Sequence, residues 1–490
     1  MTPGIPFDNS YARLPARFYA PVTPTPVAAP QLVRVNSALA TQLGIDPDWL
    51  ASEEGVQILA GNRVPKGGEP IALAYAGHQF GGFVPQLGDG RAILLGEVID
   101  ASGVRRDIQL KGSGRTPFSR GGDGRAVLGP VLREYVLSEA MAALGIPTTR
   151  ALAAVTTGEE VMRETLLPGA VFTRVAASHI RVGSFQFFAN RGDDEAVRLL
   201  ADYVMTRHYP EARQAAQPQR ALLEAAIAAQ ATLIARWLLV GFIHGVMNTD
   251  NMAVSGETID YGPCAFLDEY DPATVYSSID RMGRYAYANQ PNIALWNLTR
   301  LAECFLPLLA EDEDAAVEIA KEALAGFAPA FDAAYQAGLR QKLGLATRHE
   351  DDAVLARDLL QVMHASRADY TLTFRRLSEA AAEKEAQAGA LFLDAPALQE
   401  WVARWRLRLA QEPMEPAARR DAMRGVNPAY IPRNHRVEAV IRAAVDRDDL
   451  GPFEELLRVL ATPFVEQPPF ANYALPPKES ERVRATFCGT

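Results

Sequence analysis

Cysteine is scarce in this chain. Cys264, Cys304 and Cys488 are the only three in 490 residues, an odd number without CxxC spacing. That composition excludes a disulfide-stapled scaffold and a structural zinc ribbon, and it suits a reducing compartment. The seven histidines fall in no paired ligand pattern. Positive charge is also in deficit: 49 Lys and Arg against 59 Asp and Glu leave a formal charge of −10. Such a field repels polyanions, so no nucleic-acid partner is expected and any anion site must be a local basic cluster. Long unbroken apolar runs are missing too. The stretch LLEAAIAAQATLIARWLLVGFIHGV is interrupted by Glu224, Gln230 and Arg236, so it reads as a buried helix and no membrane partner is expected. The opening MTPGIPFDNSYARLP has neither the basic-then-apolar order of a secretory signal nor the pattern of a transit peptide, and a cytoplasmic location is expected. No internal repeat is present.

What is present is the composition of a folded enzyme, 48% hydrophobic and 22% charged, long enough for two unequal lobes and an extension. Residues 1–70 are rich in proline and turn residues, with short helices expected at SALATQLGI and DPDWLAS, each led by a capping residue. RAILLGEVI, the turn DASGVRR and DIQLK read as an antiparallel hairpin. GPVLREYVLSEAMAALGIP reads as a helix, with Pro130 near its first turn and Gly145 then Pro147 as its stop. The strand-like pieces ALAAVTTGE and GAVFTRVA follow, and from about Asp194 the chain is mostly helical. Strands followed by many helices indicate an α+β protein with a small β-rich lobe and a large helical one.

Four pieces carry chemistry. In QLGDGRAILLGEV, Gly88 and Gly90 lack the Cβ atoms that would keep a strand-turn-strand loop from closing over phosphates. In IQLKGSGRTPFSRGGDGR, Lys111 ends an apolar strand, where it can hold phosphate oxygens if a carboxylate keeps it charged. The next helix offers Glu134 and Glu139 for that role, and periodicity does not choose between them. In HGVMNTDNMAVSGETIDYG, Asn251 and Asp260 flank an expected β-hairpin, MAVSGETID, and two short oxygen ligands plus phosphate oxygens suit octahedral Mg²⁺. The spacing follows a kinase catalytic loop, with DYG for DFG, yet Val246 stands where a kinase keeps its catalytic aspartate. Arginines gather nearby: Arg91 after the glycines, then Arg115, Arg120 and Arg125 in the loop with Asp123 and Gly124, then Arg174 and Arg181. If FTRVAASHIRVG is helical, the last two share a face; if it is extended, they diverge.

With these residues in hand the chain resembles the selenoprotein O family of pseudokinase-fold protein adenylyltransferases. YAGHQFGGFVPQLGDGRA, QLKGSGRTPFSRGGDGRAVL, REYVLSEAM, FTRVAASHIRVGSFQFFA, HGVMNTDNMAV, IDYGPCAFLD and NPAYIPRNHRVEAVI carry the likeness. The resemblance implies a kinase-like two-lobed fold: an arm at 1–70, an N-lobe at 71–185, a C-lobe at 186–330 and a helical extension at 331–490. It implies ATP held in reverse, so that AMP passes to Ser, Thr or Tyr hydroxyls of protein substrates with Mg²⁺ or Mn²⁺ as cofactor. On this likeness the nucleotide contacts are Gly88, Gly90, Arg91, Lys111, Asp123, Gly124, Arg174, Arg181 and Asp260. Glu134 pairs with Lys111, Asp250 is the base, and Asn251 and Asp260 hold the metal. Uridylyl transfer from UTP, γ-phosphoryl transfer and a non-catalytic nucleotide-binding role are the alternatives. Relatives often end in a tail carrying selenocysteine or cysteine, and this chain ends FCGT. Tyr276 stands where some relatives have a second cysteine, and a Cys264–Cys488 bridge is not expected.

Overall fold

The computed structural model describes residues 4–382 and 395–487. Cys488, and with it the expectation about a Cys264–Cys488 bridge, lies outside the described residues. Among the described residues the strands are β1 (Tyr19–Pro21), β2 (Gln31–Val35), β3 (Ile71–Leu73), β4 (Gly77–Gln79), β5 (Gly82–Val84), β6 (Ala92–Ile99), β7 (Arg105–Lys111), β8 (Ala126–Val127), β9 (Arg150–Met162), β10 (Leu166–Ala176), β11 (Phe242–Ile243) and β12 (Ala265–Phe266). Eight of them form one antiparallel sheet in the order β1-β3-β6-β7-β10-β9-β2, with β8 beside β10. The expected hairpin is β6–β7, bulged between Leu94 and Gly96. The first seventy residues, expected as an arm packed on the sheet, also supply both of its edges, β1 and β2.

The central strands are buried on both faces. Val171 and Val155 face the helices Ser37–Gln42, Pro47–Leu50 and Glu53–Leu59, whereas their neighbours Phe172 and Ala154 face the helix Leu128–Ala143. Strand alternation with apolar residues on both sides produces this sandwich. The helix Leu128–Ala143 is apolar nearly all round because it is covered twice: the C-terminal helices Asn434–Arg447 and Gly451–Leu460 return to pack on its far side. The C-terminal extension therefore braces the element that carries Glu134.

From Val182 onward helices dominate. Pro218–Val240 has the length and hydropathy of a membrane span, and 56% of its most apolar window is buried within the fold. It packs in a core with Val182–Ala189, Asp194–His208 and Gln290–Leu309. The coarse expectation of antiparallel strands followed by helices agrees with this architecture. MAVSGETID does not form a hairpin. Ala253 bridges Arg181, and Thr258 bridges Thr148, so its two arms pair with different segments. The physical reason is competition: the backbone groups of both arms find partners in the neighbouring chain, with Val254 N–H donating to Ile180 O and Thr258 N–H to Pro147 O.

Candidate active site

A cavity of about 410 Å³ lies between the sheet end and the loop from Val246 to Asp260. Its floor follows from strand register. Gln109 faces Arg174 across β7 and β10, and Lys111 is two residues further along β7, so all three share the sheet face that meets Leu128–Ala143. Arg174 Nε donates to Gln109 Oε1 at 2.8 Å. Lys111 Nζ donates to Glu134 Oε2 at 2.5 Å, and Arg174 Nη1 reaches Glu134 Oε1 at 3.3 Å. Glu139 points elsewhere: it accepts two hydrogen bonds from Arg150, at 2.8 Å each. Geometry thus chooses Glu134 as the carboxylate beside the lysine.

Neither reading of FTRVAASHIRVG describes it fully. Arg174 lies in β10, the chain then turns, and Arg181 is the N-cap of the helix Val182–Ala189. The bend redirects the second arginine, so the two guanidinium groups converge although the segment is not helical. Arg174 Nη1 donates to Asp260 Oδ1 at 2.5 Å and Arg181 Nη2 to Asp260 Oδ2 at 3.2 Å. Lys111 Nζ lies 3.7 Å from the same Oδ1. Burial by itself would raise the Asp260 pKa, but Arg174, Arg181 and Lys111 hold it well below the usual carboxylate range. Asp260 has a φ of 62°, in the left-handed region, and the tight turn that follows is closed by Gly262 N–H donating to Asp260 O.

Asp250 and Asn251 sit on the short helical turn Thr249–Asn251. The β4–β5 hairpin is clipped to this turn: His78 N–H donates to Thr249 Oγ1 at 2.7 Å and Phe80 N–H to Asn248 Oδ1 at 3.0 Å. Gln79 Nε2 donates to Asp250 Oδ2 at 3.2 Å, while Asp250 Oδ1 is buried with no hydrogen-bond partner among the described residues. Burial raises the Asp250 pKa to about 6. Asn251 Nδ2 donates to Val246 O at 3.0 Å, which fixes the carboxamide beside the cavity.

Gly90, Arg91, Lys111, Arg174, Arg181, Asp250, Asn251 and Asp260 line the cavity, with Val246 in the same wall. Glu134 lies behind Lys111. Gly88 shapes the turn from behind: its φ is +70°, and a Cβ there would stand 2.3 Å from the Phe118 ring. Asp123 and Gly124 are not in the wall. Asp123 pairs with Arg163 at 2.7 Å, and Gly124 packs against the Gly114 carbonyl. Of the loop arginines, Arg120 reaches the cavity, whereas Arg125 binds the carbonyls of Thr25 and Pro26.

Sequence reasoning missed Tyr75, Gln79 and Asp89. Asp89 is buried between the two glycines, accepting from Leu73 N–H at 3.1 Å and Gln109 Nε2 at 3.0 Å, with Arg181 Nη1 at 3.5 Å. Burial raises its pKa, against the pull of Arg181 and Arg174. Tyr75 lies under the Arg181 guanidinium, 4.4 Å from ring centroid to Cζ. A carboxylate flanked by two glycines beside an apolar strand was the available signal for Asp89; Tyr75 and Gln79 offered none.

The donor chemistry fits a hard divalent cation. Asn251 offers a carboxamide oxygen and Asp260 an ionised carboxylate, which suit Mg²⁺ or Mn²⁺ if phosphate oxygens and water complete the shell. No cluster of three or more His, Cys, Asp or Glu forms a metal site among the described residues, so the protein supplies only part of such a shell.

A family model described as "Protein adenylyltransferase SelO" matches residues 4–461. The chain is 68% identical over 492 residues, all of both chains, to a protein nucleotidyltransferase YdiU of Rhodopseudomonas palustris strain BisB5. It is 65% identical over 491 residues, again all of both, to the protein of that name from Bradyrhizobium diazoefficiens, and 66% identical over 498 residues, with the same full coverage, to that of Methylorubrum extorquens.

Proposed function

The chain belongs to the protein adenylyltransferase SelO family and is a nucleotidyltransferase; we propose that it transfers AMP from ATP to Ser, Thr or Tyr hydroxyls of target proteins, with ATP reversed in the cavity and pyrophosphate as the leaving group. One observation carries this reading. A single cavity is lined by five cations, Arg91, Lys111, Arg120, Arg174 and Arg181, and by the buried carboxylate of Asp250.

In this reading Lys111, Arg174 and Arg181 receive the polyphosphate. Glu134 and Asp89 orient them from behind, so their geometry is set before the nucleotide arrives. Asp250 accepts the proton of the acceptor hydroxyl, and Gln79 Nε2 donates to its Oδ2 and orients the carboxylate. Asn251 and Asp260 would hold Mg²⁺ or Mn²⁺, which when bound supplies neutralisation of phosphoryl charge. Reversal of ATP is supported by the wall itself. Val246 leaves no base at the position from which a γ-phosphoryl acceptor would be activated, whereas Asp250 stands beside Asn251.

The same reading takes the architecture as kinase-like and two-lobed, with the sheet of 71–185 over the helices of 186–330, the arm 1–70 and the extension 331–490 bracing the first lobe. Protein hydroxyls are the acceptors, nucleic acid and membrane are not partners, and the location is cytoplasmic. Intact-mass measurement after incubation with ATP and Mg²⁺ or Mn²⁺ tests it: an adenylyl adduct is expected, and a phosphoryl adduct overturns it. ATP against UTP in direct competition decides the nucleotide.

A further inference from the structure

We propose that Asp260 is the resident counter-ion of the polyphosphate site, so that the protein takes up its divalent cation together with a nucleotide and not before it. The inference rests on the nucleotidyl-transfer reading and deepens it. Both Asp260 oxygens are engaged by the protein's own cations: Oδ1 accepts from Arg174 at 2.5 Å with Lys111 at 3.7 Å, and Oδ2 accepts from Arg181 at 3.2 Å. A metal ion arriving alone would have to break these contacts and then sit beside three cations that share only two carboxylates, Glu134 and Asp89.

The charge count points the same way. Lys111, Arg174 and Arg181 are matched by Glu134, Asp89 and Asp260, the carboxylates in contact with them. The cluster is neutral as it stands, which is what buried charges require. Two of the carboxylates cannot leave: Glu134 lies in a helix and Asp89 is held by Leu73 N–H and Gln109. Asp260 differs. It is the most exposed of the three, with 22% of its side chain accessible against 3% for Glu134 and 1% for Asp89, and it lies on an irregular loop with φ in the left-handed region. If Asp260 withdraws, Arg174 retains Glu134 and Gln109, Arg181 retains Asp89 and the Tyr75 ring, and Lys111 retains Glu134. No cation is left stranded, and the vacated donors face the cavity. Phosphates entering there replace the carboxylate and free it for the metal they bring.

Two measurements test this. In EDTA, titration calorimetry with tripolyphosphate should show Asp260→Asn binding on the order of tenfold more tightly than the wild type, since the competing carboxylate is gone; in Mn²⁺ the variant should lose the metal-dependent gain in ATP affinity that the wild type shows. Equal or weaker tripolyphosphate binding by Asp260→Asn overturns the proposal while leaving the nucleotide site intact. Electron paramagnetic resonance of wild-type protein with Mn²⁺ needs no variant: bound Mn²⁺ should appear only when nucleotide is added, and stoichiometric binding without nucleotide overturns the proposal. If the wild type binds no ATP with or without metal, the nucleotidyl-transfer reading falls with it.

Discussion

Lys111 Nζ stands 2.5 Å from Glu134 Oε2, which ties the last residue of a central strand to the middle of the helix beneath the sheet. Glu134 also meets Arg174, so its removal leaves Lys111 and Arg174 to share Asp260 as their remaining carboxylate. Glu134→Ala should destabilise the fold by about 3–5 kcal/mol in chemical denaturation. Glu134→Gln, which keeps the volume, should remain folded and lower kcat/KM for the nucleotide by about 100-fold.

Glu139, further along the same helix, is the control. It accepts from both guanidinium arms of Arg150, from Asn36 and from Ala151 N–H. Glu139→Ala should cost about 1–3 kcal/mol of stability and leave nucleotide affinity unchanged in calorimetry.

Asp250→Asn should remove transfer while sparing binding. Its Oδ1 has no partner to lose among the described residues, and the carboxamide retains the volume. Single-turnover rates are expected to fall by about 10²- to 10⁴-fold with ATP affinity within the wild-type range; a variant that transfers AMP at the wild-type rate removes Asp250 as the base.

Gly88→Ala should weaken nucleotide binding without touching a charged group. The new Cβ meets the Phe118 ring and the backbone sits at φ +70°, so the turn must shift. A loss of about 1–3 kcal/mol in stability is expected, together with a raised KM for ATP.

Glu257 sets a pH dependence of stability. Burial raises its pKa to about 7, against the opposing hydrogen bond from Ala177 N–H and the field of Arg106. The folded state therefore binds this proton more tightly than the unfolded chain. Its contribution to stability is greatest below the unfolded pKa and is lost as pH rises through the folded value. Glu257→Gln should raise Tm at about pH 8 and leave it nearly unchanged at about pH 4, measured by calorimetry.

Much of the fold was legible because its signals are local. The β6–β7 hairpin follows from two apolar runs around a polar turn, and the helix Leu128–Ala143 from its formers and its Gly145–Pro147 stop. MAVSGETID misled for a related reason: a turn flanked by short extended arms resembles a hairpin, but pairing depends on which backbone lies nearby, and here that backbone is Arg181 and Thr148. Strands β1 and β2 escaped notice because short edge strands carry little pattern.

In the site, the sequence by itself determined the inventory: a glycine turn, a strand-end lysine, two helix carboxylates, two arginines seven residues apart, and Asn251 with Asp260 around a short loop. Spacing in the chain encodes periodicity, which is a property of backbone geometry over a few residues. Tertiary structure alone decided the pairings. Glu134 rather than Glu139 meets Lys111, Arg174 and Arg181 converge on Asp260 through a bend, and Asp89 enters as a third buried acid. Those choices depend on contacts between segments far apart in the chain, as where His78 and Gln79 reach across 171 residues to Thr249 and Asp250. Desolvated charges must find opposite charges in space, whatever their separation in sequence.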